Sequence, residues 1–147
     1  MRIKIVTAVQ QDVQTVIKGF DRNLFLALKP PLAPITLLRF DGCEKGDEVH
    51  LNLGFGQKWI SVITRSEETD TGMVFVDEGR QLPFFLTAWH HVHSIEANPN
   101  NEGTLICDDI TYSSNGKLLE WMLYPVLYAQ FAWRIPVYKR FFGKTQG

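Results

Sequence analysis

From Glu120 to Arg134 no residue between the two ends is charged, and the surrounding stretch LLEWMLYPVLYAQFAWRIPVY, residues 118–138, is the most hydrophobic part of the chain. Its apolar residues recur three and four apart at Leu118, Trp121, Pro125, Tyr128, Ala132 and Ile135, the spacing of one helical face. Leu119, Met122, Leu123, Val126 and Leu127 widen that face. A helix with so broad an apolar surface needs apolar partners on several sides. The uncharged run contains Gln130 and Pro125, and it is shorter than the roughly 20 residues a bilayer crossing requires. The expectation is therefore a helix gripped by a curved sheet, with no transmembrane span and at most transient membrane contact. Pro125 and Pro136 each lack a backbone donor and predict a bend or interruption.

A sheet to do the gripping is legible upstream. Ile3, Ile5 and Thr7 alternate with Lys4, Val6 and Ala8, a strand pattern over residues 2–9. Asp12 and Asp21 are placed to cap two short helices, the first stopped by Gly19 and the second by Pro30 and Pro31. Strand patterns follow at 35–41, 48–55, 58–66, 72–78, 85–97 and 102–112, separated by glycine- and asparagine-rich turns. Helices at the ends of a run of consecutive strands imply an α+β architecture, an antiparallel sheet covered on one face. No linker or repeat divides the sequence, so residues 1–147 are expected to form one domain.

Net charge is −1, and no basic stripe carries interleaved aromatics, so nucleic acid is not an expected partner. Cys43 and Cys107 have no motif spacing and read as free thiols of a reducing compartment. The N-terminal MRIKIVTAVQQ lacks the continuous apolar core of a secretory signal, which together with the thiols suggests the cytoplasm.

Three of the four histidines fall within TAWHHVHSI, residues 87–95. On a strand, Trp89, His91, His93 and Ile95 share one face, and His90 points the other way. On the next strand Thr104, Ile106, Asp108, Ile110 and Tyr112 share a face. The bulkier sets are assigned inward. One register places His91 beside Asp108, and a two-residue slip places His93 there; either sets an imidazole against a carboxylate on the covered face. Such a pair can fix a tautomer and leave the other ring nitrogen for a ligand or a proton. Two histidines at i and i+2 with an aspartate could bind zinc, but a third inward donor is missing from the pattern, so neither a metal nor another cofactor is expected. Asp77 reads, with Arg39, Arg65 and Arg80, as a solvated or cross-strand charge. Arg134 reads as snorkelling or pairing with a carboxylate. No phosphate loop, nucleophile elbow or paired-cysteine motif is present.

These residues carry a resemblance. Trp89-x-His91-x-His93-x-Ile95, then Thr104-x-x-x-Asp108-x-Ile110-x-Tyr112, then Phe131-x-Trp133-Arg134 resemble small bacterial members of the START-like, or SRPBCC, helix-grip superfamily. The subgroup is the polyketide cyclase/dehydrase-like one, some of it labelled cell-division-inhibitor-type. The resemblance implies a helix grip: about seven curved strands around a long C-terminal helix, two short N-terminal helices, and a cavity between sheet and helix.

A lipid-, polyketide- or aromatic-type ligand is then the expected partner, bound by a monomer or homodimer. The pocket expected for it comprises Trp59, Phe75, Trp89, His91, His93, Ile110, Tyr112, Trp121, Tyr128 and Ala132. The resemblance also allows a cyclase or dehydratase using His91 or His93 with Asp108 as acid and base, and, below that, a lipid carrier that docks on membranes.

Overall fold

The computed structural model describes residues 1–144. Its strands are β1 (Arg2–Val9), β2 (Thr36–Phe40), β3 (Glu48–Asn52), β4 (Lys58–Thr69), β5 (Gly72–Gln81), β6 (Ala88–Ala97) and β7 (Thr104–Ser113). Helices α1 (Val13–Lys18) and α2 (Arg22–Leu28) follow β1, and α3 (Lys117–Ala132) and α4 (Arg134–Phe141) follow β7. The strands form one antiparallel sheet in the order β1-β7-β6-β5-β4-β3-β2. Because β1 pairs with β7 and β2 lies at the opposite edge, α1 and α2 carry the chain across the sheet.

Local chemistry explains these elements. In β1, Ile3, Ile5, Thr7 and Val9 are buried while Arg2, Lys4, Val6 and Ala8 face outward. The side chains of Asp12 and Asp21 accept hydrogen bonds from the Thr15 and Leu24 amides, so both short helices are capped where the sequence places their caps. Irregularities between Leu37 and Arg39, Ile60 and Ser61, and Ile63 and Arg65 shift the register and bend the strands around the helices. Strand β3 ends at Asn52, short of the expected Phe55, because Gly54, Phe55 and Gly56 all take positive φ and form the turn. Strand β6 begins at Ala88, after a turn in which the Leu86 amide donates to the Pro83 carbonyl at 3.0 Å.

The C-terminal segment is helical on both sides of Trp133, which keeps helical dihedrals of φ −56° and ψ −28°. Pro136 has no N–H for the Ala132 carbonyl, and the break falls there. Pro125 lies inside α3 without ending it. Helix α3 packs against β1 and β7, α4 against β1 and α2, and α1 against β5 and β6. The core accordingly has two parts. One gathers Val16, Leu24, Leu28, Ile63, Phe75 and Tyr138 under α1, α2 and α4. The other gathers Ile3, Trp89, Ile110, Tyr112, Leu127 and Phe131 under α3.

The inward face of α3 differs from the expected one. Leu118, Trp121 and Tyr128 are exposed, whereas Glu120, Leu127 and Phe131 are buried. The uncharged run offers no polar residue but Gln130 to mark a solvent side, so apolar spacing alone does not orient this helix. Glu120 turns inward because it has partners there. Its carboxylate accepts from Lys117 at 2.8 Å and from the Ser114 amide at 3.3 Å. Its backbone carbonyl accepts from the Tyr112 hydroxyl at 2.8 Å.

Candidate functional site

Between the two parts of the core lies a cavity of about 320 Å³. Its walls come from both: Leu24, Leu28, Ile63 and Phe75 on one side, Leu86, Trp89, Leu127 and Phe131 on the other. Strands β3 and β4 add Val49, Leu51, Trp59 and Ser61, and the loop after α2 adds Ala33, Pro34 and Ile35. The polar residues on its surface include Asp77, His91, His93, Gln130, Arg134 and Tyr138.

The histidines stand at the centre of this polar group. In the ladder His93 lies opposite Asp108 and Phe75, and His91 opposite Ile110 and Asp77. This is the second of the two expected registers. The rings of His91 and His93 stack with centroids 3.6 Å apart and a tilt of 32°. Each reaches both carboxylates. His91 Nε2 is 2.9 Å from Asp108 Oδ1, and its Nδ1 is 3.3 Å from Asp77 Oδ2. His93 Nε2 is 2.8 Å from Asp77 Oδ2, and its Nδ1 is 3.5 Å from Asp108 Oδ1. Arg134 reaches down from α4 to bond Asp108 Oδ1 at 3.1 Å, with its guanidinium carbon 4.3 Å from the centroid of the Phe131 ring. Two buried polar atoms, His93 Nδ1 and the Tyr138 hydroxyl, have no hydrogen-bond partner among the described residues.

Charge follows from this packing. Burial alone would raise the Asp77 carboxyl, but hydrogen bonds from His91 and His93 outweigh it and hold the group well below the usual carboxylate range. Burial likewise opposes Asp108, and the Arg134 charge with the His91 bond wins. For His91 burial favours the neutral ring, yet bonds to Asp108 and Asp77 raise its pKa. His93 takes the opposite course: burial and the neighbouring His91 charge push it down to about 4. The cluster thus sets two carboxylates and a guanidinium around one imidazole whose charged form is favoured and one held neutral, in an apolar shell.

The residues expected around a ligand separate into three groups. Trp59, Phe75, Trp89, His91 and His93 line the cavity. Ile110 and Tyr112 are fully buried on the same sheet face but away from the cavity wall, and Asp108 is buried behind the histidines. Trp121 and Tyr128 are exposed, and Ala132 packs against the α3 side of the core, so none of these three meets the cavity. The face of α3 that lines it carries Leu127, Gln130 and Phe131.

Asp77 supplies, from β5, the third inward donor that the pattern of the histidine strand and its neighbour β7 lacks. It alternates with Met73 and Phe75 on the buried face of β5, a signal present in the sequence. Arg134 pairs with a carboxylate and also borders the cavity. Arg39, Arg65 and Arg80 bond carboxylates at the surface. No helix among the described residues is long and apolar enough to cross a membrane.

Neither a family model nor a curated protein matches the sequence. Solved structures do. The nucleoside-diphosphate sugar epimerase from Corynebacterium glutamicum superposes with a TM-score of 0.72 at 19% identity, over 94% of this chain and 28% of that one. Norcoclaurine synthase from Thalictrum flavum, in complex with dopamine and hydroxybenzaldehyde, superposes with a TM-score of 0.69 at 8% identity, over 95% of this chain and 84% of that one. The chain has the helix-grip fold of these structures. A major latex-like protein from Panax ginseng shares this helix grip at a TM-score of 0.60 and 11% identity, over 94% of this chain and 97% of that one. The helix grip supplies the scaffold, and its chemistry here comes from the residues on the cavity wall.

Proposed function

We propose that the protein is a cytoplasmic binder of one small, mostly apolar or aromatic molecule of the lipid or polyketide kind, held in the cavity between sheet and helices. The observation that carries this reading is the cavity itself, apolar on most of its wall and polar at the His91, His93, Asp77 and Arg134 cluster. Apolar walls supply affinity by removing the ligand from water, and the polar cluster orients one hydrogen-bonding group. Cys43 and Cys107 are both free thiols, in keeping with a reducing compartment. Native mass spectrometry of freshly purified protein tests the reading. A retained small molecule, lost when Leu28 or Phe75 on the wall is replaced by tryptophan, is the expected result. Retention that is indifferent to both changes refutes it.

A binder fits the cluster better than a cyclase or dehydratase. Both nitrogens of His91 face carboxylates, so it has no free site to take a proton from a substrate. His93 is held neutral and weakly basic by its surroundings, and its free Nδ1 is buried.

One surface supports the carrier alternative. The outer side of α3 exposes Leu118, Trp121, Met122, Val126 and Tyr128, and Leu32 across the adjoining groove is 97% exposed. Between residues 22 and 39 the charged side chains are Arg22, Lys29 and Arg39; between 117 and 144 they are Lys117, Arg134, Lys139, Arg140, Lys144 and the buried Glu120. An apolar, Trp- and Tyr-bearing face on segments whose charges are mostly cationic suits the surface of an anionic bilayer. Co-sedimentation with phosphatidylglycerol vesicles, weak with phosphatidylcholine and lost in Trp121→Asp/Val126→Asp, is the outcome this reading requires. A stable dimer by light scattering, with no vesicle binding, would assign the face to a second copy of the chain.

A further inference from the structure

We infer that Asp77, His91 and His93 form a binding site for one divalent first-row transition-metal ion, open on its fourth side to the cavity. The donor set is two imidazoles and one carboxylate on adjacent strands, with one ligand atom from each lying within 4.8 Å of the others. His91 Nδ1 and His93 Nε2 lie 3.3 Å and 2.8 Å from the same oxygen, Asp77 Oδ2. Donors around a tetrahedral ion with bonds of about 2.0–2.1 Å stand about 3.3 Å from one another, so both imidazole atoms stand near that distance from the carboxylate oxygen. Imidazole donors favour zinc, iron, nickel or copper over magnesium or calcium.

A second observation points the same way. His93 Nδ1 is buried without a partner because its Nε2 faces Asp77. With a metal on Nε2, the proton of a neutral His93 must sit on Nδ1. There it faces Asp108 Oδ1 at 3.5 Å, within reach of a small ring movement. His91 already directs its other nitrogen to the same oxygen at 2.9 Å. Asp108 would then hold both metal-bearing imidazoles through their outer nitrogens, and Arg134 would hold Asp108. That is the arrangement by which carboxylates orient histidine ligands in metal proteins. The ion therefore satisfies the one imidazole atom that the metal-free packing leaves orphaned.

Asp77, His91 and His93 line the cavity and Asp108 does not, so the ion's remaining position faces the space assigned to the ligand. Only that last point rests on the ligand-binding reading. The ion's own binding is measured without any organic molecule, so the two can fail separately.

The test is titration of chelator-treated protein with zinc chloride in a calorimeter. One ion per chain is expected. Asp77→Ala and His93→Ala should abolish binding, and Asp108→Asn should weaken it about 10–100-fold. His90→Ala, which removes the exposed His90–Glu78 pair on the other face, should leave binding unchanged. Zinc binding that survives Asp77→Ala, or that His90→Ala removes, overturns the site, as does the absence of any binding to the wild-type chain. Should the buried variants fail to fold, cobalt added to wild-type protein decides. Intense visible bands of a four-coordinate nitrogen and oxygen set support the site, and the weak pink spectrum of six-coordinate cobalt overturns it.

Discussion

Asp108→Ala offers a sharp view of how the polar cluster is held. The Asp108 side chain is 2% exposed and accepts from His91 at 2.9 Å and Arg134 at 3.1 Å. Arg134 is itself 14% exposed, so removing the carboxylate strands a guanidinium and takes a hydrogen-bond partner from His91 in a region with little water. Breaking one side of a buried pair costs about 3–5 kcal/mol. In a chain of this size each kcal/mol lowers Tm by about 2–4 °C, so Asp108→Ala should melt roughly 6–20 °C below wild type. Its neighbour Asp109 is the control. It lies on the opposite face of β7 and pairs at 2.6 Å with Arg2, whose side chain is 64% exposed. That surface pair is worth about 0–1 kcal/mol, so Asp109→Ala should hardly move Tm. Adding Arg134→Met to Asp108→Ala should recover part of the loss, because the stranded cation is gone. Calorimetric melts of wild type, the three single variants (Arg134→Met included) and the double variant measure all of this. Equal losses at positions 108 and 109, or a double variant at the sum of its parts, would refute the buried network.

Three further outcomes follow from particular contacts. Phe131, 2% exposed and packed on Trp89 and His91, should cost about 3–5 kcal/mol as Phe131→Ala. Trp121, 66% exposed, should stay within about 0.5 kcal/mol as Trp121→Ala; urea unfolding showing the reverse order would mean α3 is rotated. Gly103 has φ +106° and sits against the Val9 backbone, so Gly103→Ala combines left-handed strain with a clash against β1 and should destabilise by more than about 1 kcal/mol. A melt unchanged from wild type would contradict that close approach. Burial, with the nearby charges of Asp47 and Asp77, pushes the Cys43 thiol up to about 12. Thiolate is then scarce at pH 8, and Cys43 should react with iodoacetamide about a thousandfold more slowly than an ordinary cysteine of pKa near 8.5. Rapid labelling on a peptide map would place it in water instead.

What could be read in advance divides along physical lines. Strand alternation and aspartate caps are local signals, and β1, α1 and the inward set Trp89, His91 and His93 stand where those signals put them. The rotation of α3 is not local. A helix apolar on every side takes its orientation from whichever partners wait beneath it. Here the partners of Glu120 and the space beside Phe131 decide, and the aromatic stripe of Trp121 and Tyr128 turns outward. Asp77 marks a different limit. Its alternation with Met73 and Phe75 was visible, but an aspartate reads as a surface residue until a stacked histidine pair is known to stand across the ladder. Arg134 is similar: its pairing could be anticipated, yet its place on the cavity wall depends on how α4 lies against β1 and α2.

The hollow between sheet and helices can be probed without knowing its ligand. Xenon enters dry apolar cavities and shifts the resonances of the methyl groups around it. Methyl NMR spectra of ligand-free protein under xenon pressure should show saturable shifts at Leu24, Leu28, Val49, Ile63 and Leu127, whose side chains line the space, and none at Leu118 or Val126 on the outer face of α3. Shifts confined to the outer face, or none that saturate, would mean that the interior is filled and that the binding account is wrong.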